Sequence, residues 1–108
     1  MISQHLPKIQ YVLNYLPEWC EQDFFFNGDF TVSDKVFNLL TIDEITYIYD
    51  FIQNLIKENN GVAYLHCFYS SRIKCALFFS DQLTIKQVES GKYKPEDNYC
   101  VIMHQDDL

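Results

Sequence analysis

The stretch from Leu40 to Gly61 constrains the fold most, because independent helix signals coincide there. Thr41 offers a hydroxyl as N-cap, and Glu44, three residues on, completes a Thr-x-x-Glu capping box. Leu40 and Ile45 take the two staple positions around that box. Ile45, Ile48, Ile52, Leu55 and Ile56 recur at helical spacing and make one apolar stripe. Asn59-Asn60-Gly61 supplies a stop, with Gly61 suited to a left-handed position just past the last turn. The pattern predicts a helix over 42–59, with Ile48 and Ile52 in the core.

The flanking segments give shorter elements. Leu6, Ile9, Leu13, Leu16 and Cys20, with Val12 alongside, recur at helical spacing. Pro7 suits a helix start and Pro17 a helix end, so a helix is predicted over about residues 4–16. Phe24-Phe25-Phe26-Asn27-Gly28-Asp29-Phe30-Thr31-Val32 places Asn-Gly between apolar runs, which predicts a hairpin or tight loop. Three successive Phe rings cannot all point inward from one strand, so at least one is expected to be exposed or covered by the end of the first helix. Ser33 is placed to cap a short helical turn through Leu39. Residues 62–68 and 72–79 read as two strands joined by Tyr69-Ser70-Ser71. That loop puts Ala63, Leu65, Cys67, Ile73, Cys75, Leu77 and Phe79 on one face, and His66 and Phe68 on the other. Thr84 and Gln87 form a second capping box, with Leu83 and Val88 as staple and Gly91 as stop. Residues 92–98 read as polar loop, 99–104 as a last strand, and 105–108 as a frayed acidic tail. The expectation is a single α+β domain over 1–108. Its N-terminal helices pack on one face of a small antiparallel sheet, with a short additional helix before the last strand.

Charge narrows the function classes. The chain of 108 residues carries a net charge of -7, and residues 18–50 hold eight carboxylates against Lys35 alone. Apolar residues are 48 % of the chain and aromatics 17 %, ample for a core, so the acids read as a folded surface and not a disordered tail. Arg72 is the only arginine. Nucleic-acid binders need clustered Lys and Arg to displace counterions, so direct DNA or RNA binding is not expected. A basic protein is the complementary partner. No stretch approaches the ~20 apolar residues that span a bilayer, and the N-terminal residues do not read as a signal peptide. A cytoplasmic protein is expected. Cys20, Cys67, Cys75 and Cys100 lack any CxxC spacing and are expected to be free thiols without metal.

The candidate docking site is the outward face of the 42–59 helix. At 100° per residue, Asp43, Tyr47, Asp50 and Asn54 fall within about 60° of one another and oppose the Ile/Leu stripe. Glu58 extends the row. In this ridge the carboxylates steer and pair with Lys or Arg, and Tyr47 is the apolar anchor. Its plain alternative is a solvated helix face. Glu18, Glu21, Asp23 and Asp29, around Trp19 and Phe24 to Phe30, form a second candidate acidic surface. Trp19 itself is more often a core residue than an interface residue, because burying a large ring dominates the stability of a small domain.

Chemistry is thinly signalled. His66, Cys67, Cys75, Cys100 and His104 match no zinc spacing. His66 and Cys67 lie on opposite faces of one strand and cannot form a nucleophile–base pair. No phosphate loop, GxSxG elbow or HExxH motif is present. No enzyme and no cofactor are expected. In size and charge the chain resembles the small acidic inhibitors of bacteria and phages, which include immunity proteins against toxin nucleases and phage proteins that block host defence nucleases. That resemblance rests on no shared motif. It implies a protein-binding inhibitor whose acidic face blocks a basic partner such as a nuclease or other nucleic-acid-binding effector. Two alternatives come from other classes. One is a small enzyme or ligand-binding protein with a pocket near His66, Tyr64 and Cys75. The other is a homodimeric structural subunit joined through a sheet edge or aromatic patch.

Overall fold

The computed structural model describes residues 8–14 and 22–108. The elements run β1 (Ile9–Asn14), β2 (Asp29–Val32), α1 (Asp34–Leu39), α2 (Ile42–Asn59), β3 (Leu65–Ser70), β4 (Cys75–Asp81), α3 (Ile85–Glu89) and β5 (Tyr99–His104). Short 3-10 turns occupy Pro95–Asp97 and Gln105–Asp107. This is an α+β fold.

Each helix begins where a side chain can satisfy its free N–H groups. Ser33 accepts from the Val36 N–H to start α1. Thr41 and Glu44 form the expected reciprocal box at the start of α2, and Thr84 and Gln87 repeat it for α3. At the end of α2 Asn60 is left-handed, with φ 54°, and Gly61 follows it at φ 120°, a conformation that favours glycine. Close packing adds a second demand on Gly61. A Cβ there would lie 2.6 Å from the Gln22 carbonyl oxygen, where the 22–25 segment crosses the helix end.

The sheet has the order β1-β3-β4-β5-β2. β1–β3, β3–β4 and β4–β5 are antiparallel, and β2 runs parallel to β5. The sheet is therefore mixed and not wholly antiparallel as expected. Its inner face presents His66 and Phe68 from β3, Cys75, Leu77 and Phe79 from β4, and Cys100 and Ile102 from β5, all buried. Against them α2 packs Ile45, Ile48, Ile52 and Ile56. Burial of each such large apolar side chain contributes roughly 1.5–3 kcal/mol. The predicted helix stripe is thus the inner face of α2.

Four expectations need correction. Residues 9–14 form β1, not a helix; residues 4–7 and 15–16 of that expectation lie outside the described residues. Ile9 and Tyr11 turn toward the core, and a bulge between Tyr11 and Leu13 resets the pairing with β3. A short run rich in Ile, Tyr and Val suits a strand as well as a helix, and its pairing to β3 decides.

Asn27-Gly28 makes no hairpin. Phe24 forms an isolated antiparallel bridge with Val62, while β2 pairs with β5. Gly28 is needed because a Cβ there would lie 2.1 Å from the Asn98 carbonyl oxygen. The left-handed residue is Phe26, φ 47°. Its N–H donates to Asp81 Oδ2 and its carbonyl accepts from Gln53 Nε2, at 2.9 and 3.0 Å. The Phe26 ring is fully buried, while Phe24 and Phe25 are half-buried, so none of the three is freely exposed.

The β3–β4 hairpin turns through Ser71–Lys74 and pairs Ser70 with Cys75. Lys74 takes the left-handed position, φ 53°. This register puts His66 and Phe68 on the face of Leu77 and Phe79, where the shorter loop had set them apart. A one-position change in the pairing inverts every partner across the hairpin.

The tail is tied down. Lys35 Nζ donates to Asp106 at 2.8 Å, and Asp107 Oδ2 accepts from the Ser33 hydroxyl and the His104 N–H. Both acids are held in place by their donors, which also keep their carboxyls below the usual range.

Candidate functional site

The outward row of α2 is where the sequence places it. Asp43, Asp50 and Asn54 are exposed, as is Glu58. Tyr47 is half-buried, its ring 6.1 Å from that of Phe51, so it contributes to helix packing more than the expected free anchor would. Asp29 is exposed at the start of β2, and Asp23 is half-buried. Glu18, Glu21, Trp19 and Cys20 lie outside the described residues.

The fold joins two of these positions through their neighbours. Phe30, next to Asp29, and Tyr49, next to Asp50, meet with ring centroids 4.8 Å apart. With the Gln53–Phe26 hydrogen bond, that contact lays one flank of α2 along the 26–30 segment. Asp29 itself shares the face of Tyr99 and Thr31 the face of Val101, opposite α2, so only Phe30 and Val32 of β2 turn toward the helix.

The nearest bases are engaged elsewhere. Arg72 forms an ion pair with Glu44 and Lys35 with Asp106. Among the described residues no ion pair involves Asp34, Asp43 or Asp50. Lys57 is the one base on α2, in its last turn. Two large apolar side chains stand out beside the acids: Phe37 is 67 % exposed and Ile42 is 73 % exposed. They flank the Leu40–Thr41 junction between α1 and α2. Ile42 was legible in principle, since at 100° per residue it lies about 75° off the centre of the Ile stripe. Phe37 carried no such signal, because α1 is too short to show a period.

The pocket expected near His66, Tyr64 and Cys75 does not form as one site. His66 is fully buried and pairs across the sheet with Phe79, whereas Cys75 pairs with Ser70 at the far end of the hairpin. Tyr64 is exposed on the opposite side, in a shallow groove with Tyr99, Val101 and Met103. Both ring nitrogens of His66 are occupied. Nε2 donates to the Ala63 carbonyl at 2.8 Å, which leaves Nδ1 to accept from the Tyr11 hydroxyl at 2.9 Å. Burial pushes the imidazole pKa down and the Tyr11 phenol up. A cavity of about 210 Å³ beside the pair is lined by Gln22, Leu55, Asn59 and Val62.

A second cleft, about 430 Å³, lies between Asn27–Asp29, Val88 and the Tyr93–Asn98 loop. Cys67, Cys75 and Cys100 are free and buried, and burial raises each thiol, Cys100 to about 12. Such thiols are weak nucleophiles at neutral pH. Among the described residues no group of three His, Cys, Asp or Glu is placed to hold a metal, and no helix is long and apolar enough to cross a membrane.

No protein-family model matches the chain, and comparison with curated proteins and with solved structures gives no significant match.

Proposed function

We propose that this protein is a non-catalytic binding protein that docks its α1–α2 surface onto a basic protein and blocks that partner's nucleic-acid groove. The carrying observation is that, among the described residues, Asp34, Asp43 and Asp50 form no ion pair while Lys35 and Arg72 are committed to other acids. Unpaired carboxylates on a rigid helix attract a basic surface and speed its encounter. Phe37 and Ile42 replace Tyr47 as the leading apolar anchors, because their side chains are already free of the core. A groove that binds phosphates has the charge this surface complements, so docking there competes with nucleic acid.

Capture from the native host tests this reading. Tagged wild-type chain should retain a basic protein in a salt-sensitive manner. Asp43→Lys with Asp50→Lys should lose it, as should Phe37→Ser with Ile42→Ser. Added chain should then displace nucleic acid from the purified partner. A partner retained equally by all variants, or one that still binds nucleic acid when saturated with this chain, rules the proposal out.

A further inference from the structure

β2 lies at the end of the sheet order, and its backbone bonds run to β5 on one side. Asp29 N–H donates to the Asn98 carbonyl and Ser33 N–H to the Ile102 carbonyl, each at 3.0 Å. In a parallel pair the groups that bond one neighbour alternate with those facing away. Asp29, Thr31 and Ser33 therefore turn inward to β5. Phe30 and Val32 turn their N–H and C=O groups outward, at the end of the sheet order. Among the described residues nothing bonds these four groups. Most edges are blunted by Lys, Pro or a bulge; β2 has none of these.

We infer that β2 accepts an extended, basic segment of the partner as a sixth strand. The inference rests on the proposed acidic docking surface and adds its binding mode. Three features select the occupant. Acids lie along the edge, Asp29 at its start, Asp34 just past its end and Asp50 beside the Tyr49 ring that touches Phe30. The Phe30 ring is 39 % exposed, which offers apolar contact to alternate side chains of an added strand. A second copy of this chain fits poorly, because pairing β2 with β2 would oppose these acids in two molecules each of net charge -7. Strand addition of this kind takes affinity from main-chain hydrogen bonds and specificity from alternate side chains.

The test uses a capped hexapeptide of alternating Lys and Val with the intact protein. Hydrogen exchange at the Phe30 and Val32 amides should slow about tenfold on binding, while the amides of Thr31 and Ser33, already bonded, change little. N-methylation of one alternate set of peptide amides should weaken binding by about tenfold or more relative to the other set. Val32→Pro removes an outward N–H yet keeps the inward bonds, and should weaken peptide binding with the fold intact. Equal effects of the two N-methyl sets, or unchanged exchange at Phe30 and Val32, overturn the inference. So does concentration-dependent protection of these amides without peptide, which would signal self-pairing. If Val32→Pro leaves partner capture intact while Asp43→Lys with Asp50→Lys abolishes it, the edge is wrong and the acidic surface stands. Failure of both variants to affect capture removes both.

Discussion

Arg72 grips Glu44 with two nitrogens: Nε donates to Oε2 at 2.8 Å and Nη2 to Oε1. Nη2 also donates to the Leu39 carbonyl, and Oε1 also accepts from the Thr41 N–H, each at 2.8 Å. One carboxylate thus caps α2 and fastens it to the β3–β4 turn. The Glu44 side chain is 5 % exposed and that of Arg72 is 42 % exposed, so loss of the Arg would strand a nearly buried charge. Arg72→Met should cost about 1–3 kcal/mol in urea unfolding. Arg72→Lys should recover only part, because an ammonium cannot bridge both oxygens in the fork geometry.

The same pair sets a pH dependence. Hydrogen bonding to Arg72 holds the Glu44 carboxyl below its ordinary value of 4.5. Its contribution is present above that value and is lost as pH falls through the lower folded value. Wild-type stability should therefore drop in strongly acidic buffer by more than that of Glu44→Gln. Parallel denaturation series for the two proteins check this, and identical slopes would show the carboxylate to be unperturbed.

His66 acts in a higher window. Burial lowers its pKa from 6.5, so the unfolded chain takes up a proton that the folded imidazole refuses. Stability should decline as pH falls below that value, and stop declining once the folded ring also protonates. Nitrogen NMR at neutral pH should show the His66 proton on Nε2. Tyr11→Phe should leave Nδ1 without its donor and cost about 1–3 kcal/mol.

Substitutions on α2 should separate stability from the proposed docking. Thr41→Ala should cost about 1 kcal/mol, and Ile52→Ala roughly 2–5 kcal/mol, read by thermal unfolding. Asp43→Lys with Asp50→Lys should stay within about 0.5 kcal/mol per change, since both side chains are exposed. Their effect should fall on association with the basic partner and shrink at high salt.

Tyr47→Ala differs from both classes. Its ring is half-buried beside Phe51, so truncation should lower thermal stability and speed dissociation together. Phe37→Ser should speed dissociation with little loss of stability. Surface plasmon resonance with unfolding curves on the same proteins checks the contrast.

Local chemistry alone determined α2, α3, the Ser33-capped turn and the last strand. Their signals lie within a few residues of the elements they define, as a cap and its N–H, or a stripe repeating each turn. The ridge of Asp43, Asp50 and Asn54 followed directly, because the residues facing away from a stripe are fixed once the helix is. Tertiary structure decided what depends on partners far along the chain. Ile9–Asn14 is a strand because β3 offers its edge, and that pairing overrides the helical spacing of Ile9 and Leu13. His66 faces the core because Ser70 pairs with Cys75. β2 leaves Asn27-Gly28 to join β5, some seventy residues away, so the Phe30–Tyr49 contact and the place of β2 at the end of the sheet order exist only in the folded chain. Strand pairing is a long-range choice among near-equal local options, and only the shared core distinguishes them.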